Sequence, residues 1–119
     1  MEKIYDWLVL LEDYAAFEKY FPTNKISCFE INRKKICLIK RENEVFVFDE
    51  KCPHNGASLA NGYCTDQNEV VCPLHRYHFD LNTGKGLSGV ASSLTIYPVK
   101  IEHNKLLIGF KKSINNWWK

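Results

Sequence analysis

Two short segments, Cys52-Pro53-His54 and Cys72-Pro73-Leu74-His75, restrict what this 119-residue chain can fold into more than any other feature. Each offers one thiol sulfur and one imidazole nitrogen from a turn that a proline stiffens by fixing φ. Seventeen residues, Asn55 to Val71, separate them, and Gly56 and Gly62 among these allow turns that a Cβ would block. Four such donors act together only if the two turns face each other, so the chain has to double back between them. Two Cys and two His hold either one tetrahedral zinc or a two-iron, two-sulfide cluster with both His on one iron. The more familiar zinc spacing keeps two Cys in one arc. Mixed arcs suit a cluster to which each loop gives its Cys on one iron and its His on the other. Spacing alone leaves zinc open as the alternative.

The surroundings predict strands. Residues 26–31, 35–41 and 45–48 are rich in β-branched and aromatic side chains, and the turn residues Asn32-Arg33-Lys34 and Glu42-Asn43-Glu44 divide them. Val70-Val71 leads into the second segment and 77–81 leads out of it. Residues 94–101 and 106–110 read as a last hairpin closed by Glu102-His103-Asn104-Lys105. Only 12–21, with Tyr14, Phe17, Tyr20 and Phe21 ahead of Pro22, has helical spacing. So dense a run of strands predicts an all-β barrel or sandwich, and the length predicts a single domain over 1–119. Cys28 and Cys37 fall inside strands and read as small buried hydrophobes. Five cysteines without a secretory signal argue against a disulfide framework. The tail, with Trp117-Trp118, reads as surface packing or fraying.

A net charge of +2 gives no strong pull toward nucleic acid. The run Trp7-Leu8-Val9-Leu10-Leu11 is too short to span a bilayer and lacks the pattern of a signal peptide, so no membrane partner is expected and cytoplasmic is the expected location. Neither a nucleophile elbow nor a phosphate loop is present.

Cys52-Pro53-His54-Asn55-Gly56-Ala57-Ser58-Leu59, then Val71-Cys72-Pro73-Leu74-His75, then Phe79-Asp80-Leu81-Asn82-Thr83-Gly84 together resemble the Rieske-type iron–sulfur domain. The likeness is to soluble Rieske ferredoxins and the nitrite reductase small-subunit-like group, and covers about 26–110. It implies stacked antiparallel sheets with a cluster-binding loop subdomain near 50–82. It implies one [2Fe-2S] cluster, with Cys52 and Cys72 on the inner iron and His54 and His75 on the outer one. Cys64 and His78 are the weaker alternatives as ligands, and His103 is expected in solvent. The resemblance further implies a one-electron carrier between a flavin-dependent reductase and a terminal oxygenase or other reductase. A small subunit of a larger reductase or oxygenase complex is the second reading, and a zinc-stabilised binding module the third. An oxygenase in its own right would need a further 2-His-1-carboxylate site. Only His78 and His103 remain for one, so no catalytic residues are expected.

Three departures narrow the subtype. High-potential relatives in quinol-oxidising complexes bridge the two loops by a disulfide, and Ala57 and Leu74 stand at the corresponding positions. Those relatives also turn a Ser and a Tyr hydroxyl toward the cluster sulfurs; here the positions hold Tyr77 and Phe79. Fewer donors leave a reduced cluster less stabilised, which implies a potential toward the low end of the roughly −150 to +300 mV Rieske range. Arg76-Tyr77-His78 falls where ferredoxin relatives vary.

Overall fold

Two-residue turns set the register of the middle of the chain. In the computed structural model, which describes residues 4–54, 56–87, 89–90 and 92–112, β2 (Ser27–Ile31) turns through Asn32-Arg33 into β3 (Lys34–Arg41). Both turn residues have positive φ, 55° and 63°, the backbone twist that matches two antiparallel strands. β3 continues through Glu42-Asn43 into β4 (Glu44–Asp49), and β8 (Ile96–Tyr97) completes a four-stranded sheet in the order β2-β3-β4-β8. The tail bearing Trp117-Trp118 lies outside the described residues.

Two further sheets cover the two faces of this one. β1 (Tyr5–Leu11), β10 (Lys105–Lys111) and β9 (Val99–Glu102) form the sheet β1-β10-β9, and β5 (Tyr63–Cys64), β6 (Glu69–Val71) and β7 (His78–Asp80) form another. Side chains alternate along a strand, so β3 sends Ile36 and Leu38 into a core with Leu106, Ile108 and Phe110. It sends Cys37 and Ile39 into a second core with Val70 and Phe79. Because both faces are covered, 36–39 are buried without interruption, as a continuous apolar run in a central strand should be. The expected stack of antiparallel sheets is present, and it is a sandwich rather than a closed barrel.

The expected helix is a 3-10 turn, Tyr14–Ala16, followed by one α-helical turn, α1 (Phe17–Tyr20). Phe17 is fully buried in the first core. Asn104 ties this segment down: its carbonyl accepts from Tyr14 N at 2.7 Å and its Oδ1 from Ala15 N at 3.0 Å.

Residues 7–11, too short for a membrane span, belong to β1, paired with β10 from Tyr5↔Lys111 to Leu11↔Leu106. Two expectations need correction. The strand expected over 94–101 breaks at Pro98, which has no N–H to continue a ladder. Ile96-Tyr97 therefore pairs with β4, and Val99–Glu102 changes sheets to pair with β10. Cys28 and Cys37 are a disulfide, not two free buried thiols. They lie directly opposite each other in the β2–β3 ladder, with Cα atoms 4.1 Å apart, so both side chains project on the same face.

Candidate metal centre

The first segment follows β4 in a loop closed on itself. Cys52 N donates to Ala57 O at 2.8 Å and Gly56 N donates to Cys52 O at 2.8 Å. Gly56, at φ 81°, supplies a left-handed backbone that few other residues adopt without cost. Below the loop, Leu59 N reaches Glu50 O at 2.7 Å, and Ser58 Oγ donates to Glu50 Oε2 at 2.6 Å. The same Ser58 Oγ accepts from Ala60 N at the start of the 3-10 turn Leu59–Asn61.

The second segment joins β6 to β7. Cys72 N donates to Tyr77 O at 2.9 Å, one step beyond the Val71↔His78 pair. His75 and Arg76 both take positive φ, 71° and 57°. For residues with a Cβ this costs roughly 1–2 kcal/mol each, and the tight reversal that presents His75 is the reason it is tolerated. Gly62 brings the two halves together: a Cβ there would lie 2.2 Å from Val71 O, the carbonyl just before Cys72.

The donors sort by burial. Cys52 and Cys72 are 1% and 0% exposed and sit in the second core beside Phe79 and Leu59. His54 and His75 are exposed. Tyr77 lies against both imidazoles edge-on, with ring centroids 4.3 Å from His54 and 6.0 Å from His75. One side chain from the second loop thus touches the imidazole of the first. Burial of soft sulfur donors and exposure of nitrogen donors is a donor set divided into two pairs. Among the described residues, no three His, Cys, Asp or Glu side chains gather as they would around a single ion.

The weaker candidates have other partners. His78 Nδ1 lies 2.8 Å from Glu69 Oε1 across the β6–β7 ladder. His103 is exposed in the turn between β9 and β10. Cys64 faces Val70 in the β5–β6 ladder and packs on the second core. Burial pushes its thiol up to about 11, only partly opposed by the Arg41 guanidinium. At neutral pH it therefore holds its proton and is a poor nucleophile. Alkylation of Cys64 by iodoacetamide, followed by peptide mass mapping, is expected to be slow at pH 7 and to accelerate as pH rises toward 11. Rapid labelling at neutral pH would contradict its burial.

The sheets and the site define a class: a β-sandwich with two facing loops that pair buried thiols with exposed imidazoles. Residues 13–98 match the Rieske [2Fe-2S] domain, starting and ending earlier than the 26–110 resemblance. The ferredoxin component of naphthalene 1,2-dioxygenase/salicylate 5-hydroxylase systems from Ralstonia sp. is 33% identical over 95 residues, covering 79% of this chain and 90% of that one. The fold is that of the ferredoxin complexed with the oxygenase of carbazole 1,9a-dioxygenase, at TM-score 0.70 and 18% identity, covering 92% and 97% of the two chains. A protein described as an NADH-dependent nitrite reductase small subunit from Mycobacterium tuberculosis superposes with TM-score 0.76 at 16% identity, covering 92% and 99%. This chain belongs to the Rieske [2Fe-2S] domain family.

Proposed function

We propose that this protein is a one-electron carrier of the ferredoxin kind, not a catalytic enzyme, with one [2Fe-2S] cluster held by Cys52, His54, Cys72 and His75. The observation that carries the reading is the division of the donors, with both thiols sealed in the core and both imidazoles at the surface. A cluster of this type supplies a one-electron couple whose potential depends on its ligands and on hydrogen bonds to its sulfurs. The protein's part is positional. Cys52 and Cys72 anchor the inner side in a dry core, where Phe79 is fully buried and offers no hydroxyl. His54 and His75 form the outer edge, and Leu74, 48% exposed, gives it an apolar neighbour that a docking partner would cover.

Its partners are then a flavin-dependent reductase as donor and a terminal oxygenase or another reductase as acceptor. A ferredoxin component from Ralstonia sp. and a ferredoxin complexed with an oxygenase support that pairing. No helix among the described residues is long and apolar enough to cross a membrane, and we place the protein in the cytoplasm as one domain over 1–119.

The test is EPR of dithionite-reduced protein purified in air, with iron, sulfide and zinc assayed on the same sample. Two irons, two sulfides and a rhombic signal of low average g are expected. One zinc and no signal would overturn the reading.

Tyr77 gives a further expected result. Edge-on ring contacts of this kind are worth about 0.5–1.5 kcal/mol each, and Tyr77 makes one with each imidazole. Tyr77→Ala is expected to lose visible absorbance in chelator about tenfold faster than the parent and to change the EPR rhombicity. Tyr77→Phe keeps the ring and should behave like the parent. Equal bleaching in all three proteins would show that the ring does not hold the imidazoles.

A further inference from the structure

Away from His54 and His75, four exposed lysines gather at the end of the central sheet where β3 begins and β4 ends. Two adjoining clefts, of about 400 and 530 Å³, share Lys34 and Asp49 in their walls. Lys35, Glu50 and Lys51 also line the first, and Lys111 lines the second. All four lysines are exposed, and none forms an ion pair among the described residues. Lys40, Lys100, Lys105 and Lys112, by contrast, each meet a carboxylate. The acids in the walls are less exposed and already hold hydroxyls: Asp49 accepts from Tyr97 and Glu50 from Ser58. Glu30 stands opposite Lys35 in the β2–β3 ladder without closing an ion pair. The four ammonium groups are more exposed than Asp49 and Glu50 and outnumber these two carboxylates together with Glu30, so the strip is net positive. That strip runs to the candidate metal centre, because Gly56 of the first loop lines the same cleft and Lys51 directly precedes Cys52.

We propose that Lys34, Lys35, Lys51 and Lys111 form a docking face for a carboxylate-rich segment of the redox partner. This rests on the carrier reading above and adds the partner's charge and its place of contact. Exposed lysines without internal partners cost little to engage, and a one-signed strip steers a partner of opposite sign and fixes its orientation. A strip that begins beside the first ligand loop would orient the partner toward the imidazole edge. A net charge of only +2 over the whole chain favours a local protein contact over a nucleic-acid track.

The test is titration of cluster-loaded, ¹⁵N-labelled protein with a hexaglutamate peptide. Chemical-shift changes are expected at 34–35, 49–51, 56–58 and 111, with binding weakened about tenfold between roughly 20 and 200 mM salt. The triple variant Lys34→Glu, Lys35→Glu, Lys111→Glu is expected to bind the peptide at least about tenfold more weakly. Lys51 is left in place because it adjoins Cys52, so the EPR signal of the variant should match the parent, and its melting temperature should fall by no more than about a few degrees from the like charge that Lys35→Glu sets against Glu30. Shifts centred on other residues, or unchanged binding by the folded variant, would overturn the proposal. Tighter binding of hexathymidylate than of the peptide at the same residues would overturn it as well. Binding is read by shifts and not by electron flow. A missing cluster signal thus counts against the carrier reading alone, and a missing peptide response in protein with a full signal counts against the docking face alone.

Discussion

Serine in place of His54 or His75 is expected to abolish the rhombic EPR signal of the reduced protein while the β-sandwich still folds. Each imidazole supplies one of four donors, and a serine hydroxyl is too short to reach the same position. Both histidines are exposed, so truncation opens no cavity in either core and removes little buried apolar area. Each replacement loses only the edge contact with Tyr77, about 0.5–1.5 kcal/mol, so metal-free protein should still melt cooperatively, on the order of a few degrees lower. His78→Ala is the control, because His78 faces Glu69 across the β6–β7 ladder and its loss should leave the signal intact. A full signal in His54→Ser or His75→Ser would refute the ligand assignment. Signal loss in His78→Ala with retention in His75→Ser would move the ligand to His78.

How much of this was legible in the sequence depended on whether the signal was local. The two Cys/His arcs and the strands beside them announce themselves through short spacings and turn residues, and the structure places these strands close to where they were expected. Pairings depend on register, and one residue decides it. Reading Asn32-Arg33-Lys34 as the turn sets Ile31 against Lys35, and so Cys28 against Leu38. The actual turn is Asn32-Arg33, which sets Cys28 against Cys37 and makes the disulfide. Both turn residues take positive φ, typical of two-residue hairpins, a conformation that Arg33 does not announce in the sequence.

Other features have no local signature. β1 finds its partner at the far end of the chain, from Tyr5↔Lys111 onward, and nothing in residues 5–11 names that partner. Tyr77 stands where high-potential relatives turn a Ser hydroxyl toward the cluster. Its contact with His54 joins two loops and exists only once they face each other. Pro98 was legible in principle, since a strand with a proline in its middle either sits at an edge or breaks. Here it breaks, and the two halves join different sheets.

Alanine at Gly62 is expected to be far more damaging than alanine at Gly56, although Gly56 has the less common backbone. Gly62 has φ −89°, which any residue adopts, so its cost comes wholly from contact. Its added Cβ would meet Val71 O at 2.2 Å, with Leu59 O at 3.3 Å. Neither is the end of a flexible side chain; both are backbone, and Val71 is fully buried. Relief requires β5 to move away from β6, across the pair Tyr63↔Val71 that aligns the first loop's exit with the strand entering Cys72. Overpacking of this kind costs about 3 kcal/mol, on the order of 10 °C in melting temperature for a domain of this size. Gly56 has nothing within 4 Å of its would-be Cβ, so Gly56→Ala carries only the left-handed backbone cost of about 1 kcal/mol. Thermal melts should rank the variants in that order. Iron content should follow the same order, because the shift at Gly62 pulls the two loops apart, whereas the change at Gly56 strains one loop in place. Equal melting temperatures would show that β5 and β6 yield without cost. Full iron in a destabilised Gly62→Ala would show that the metal loops are held together by something other than this approach.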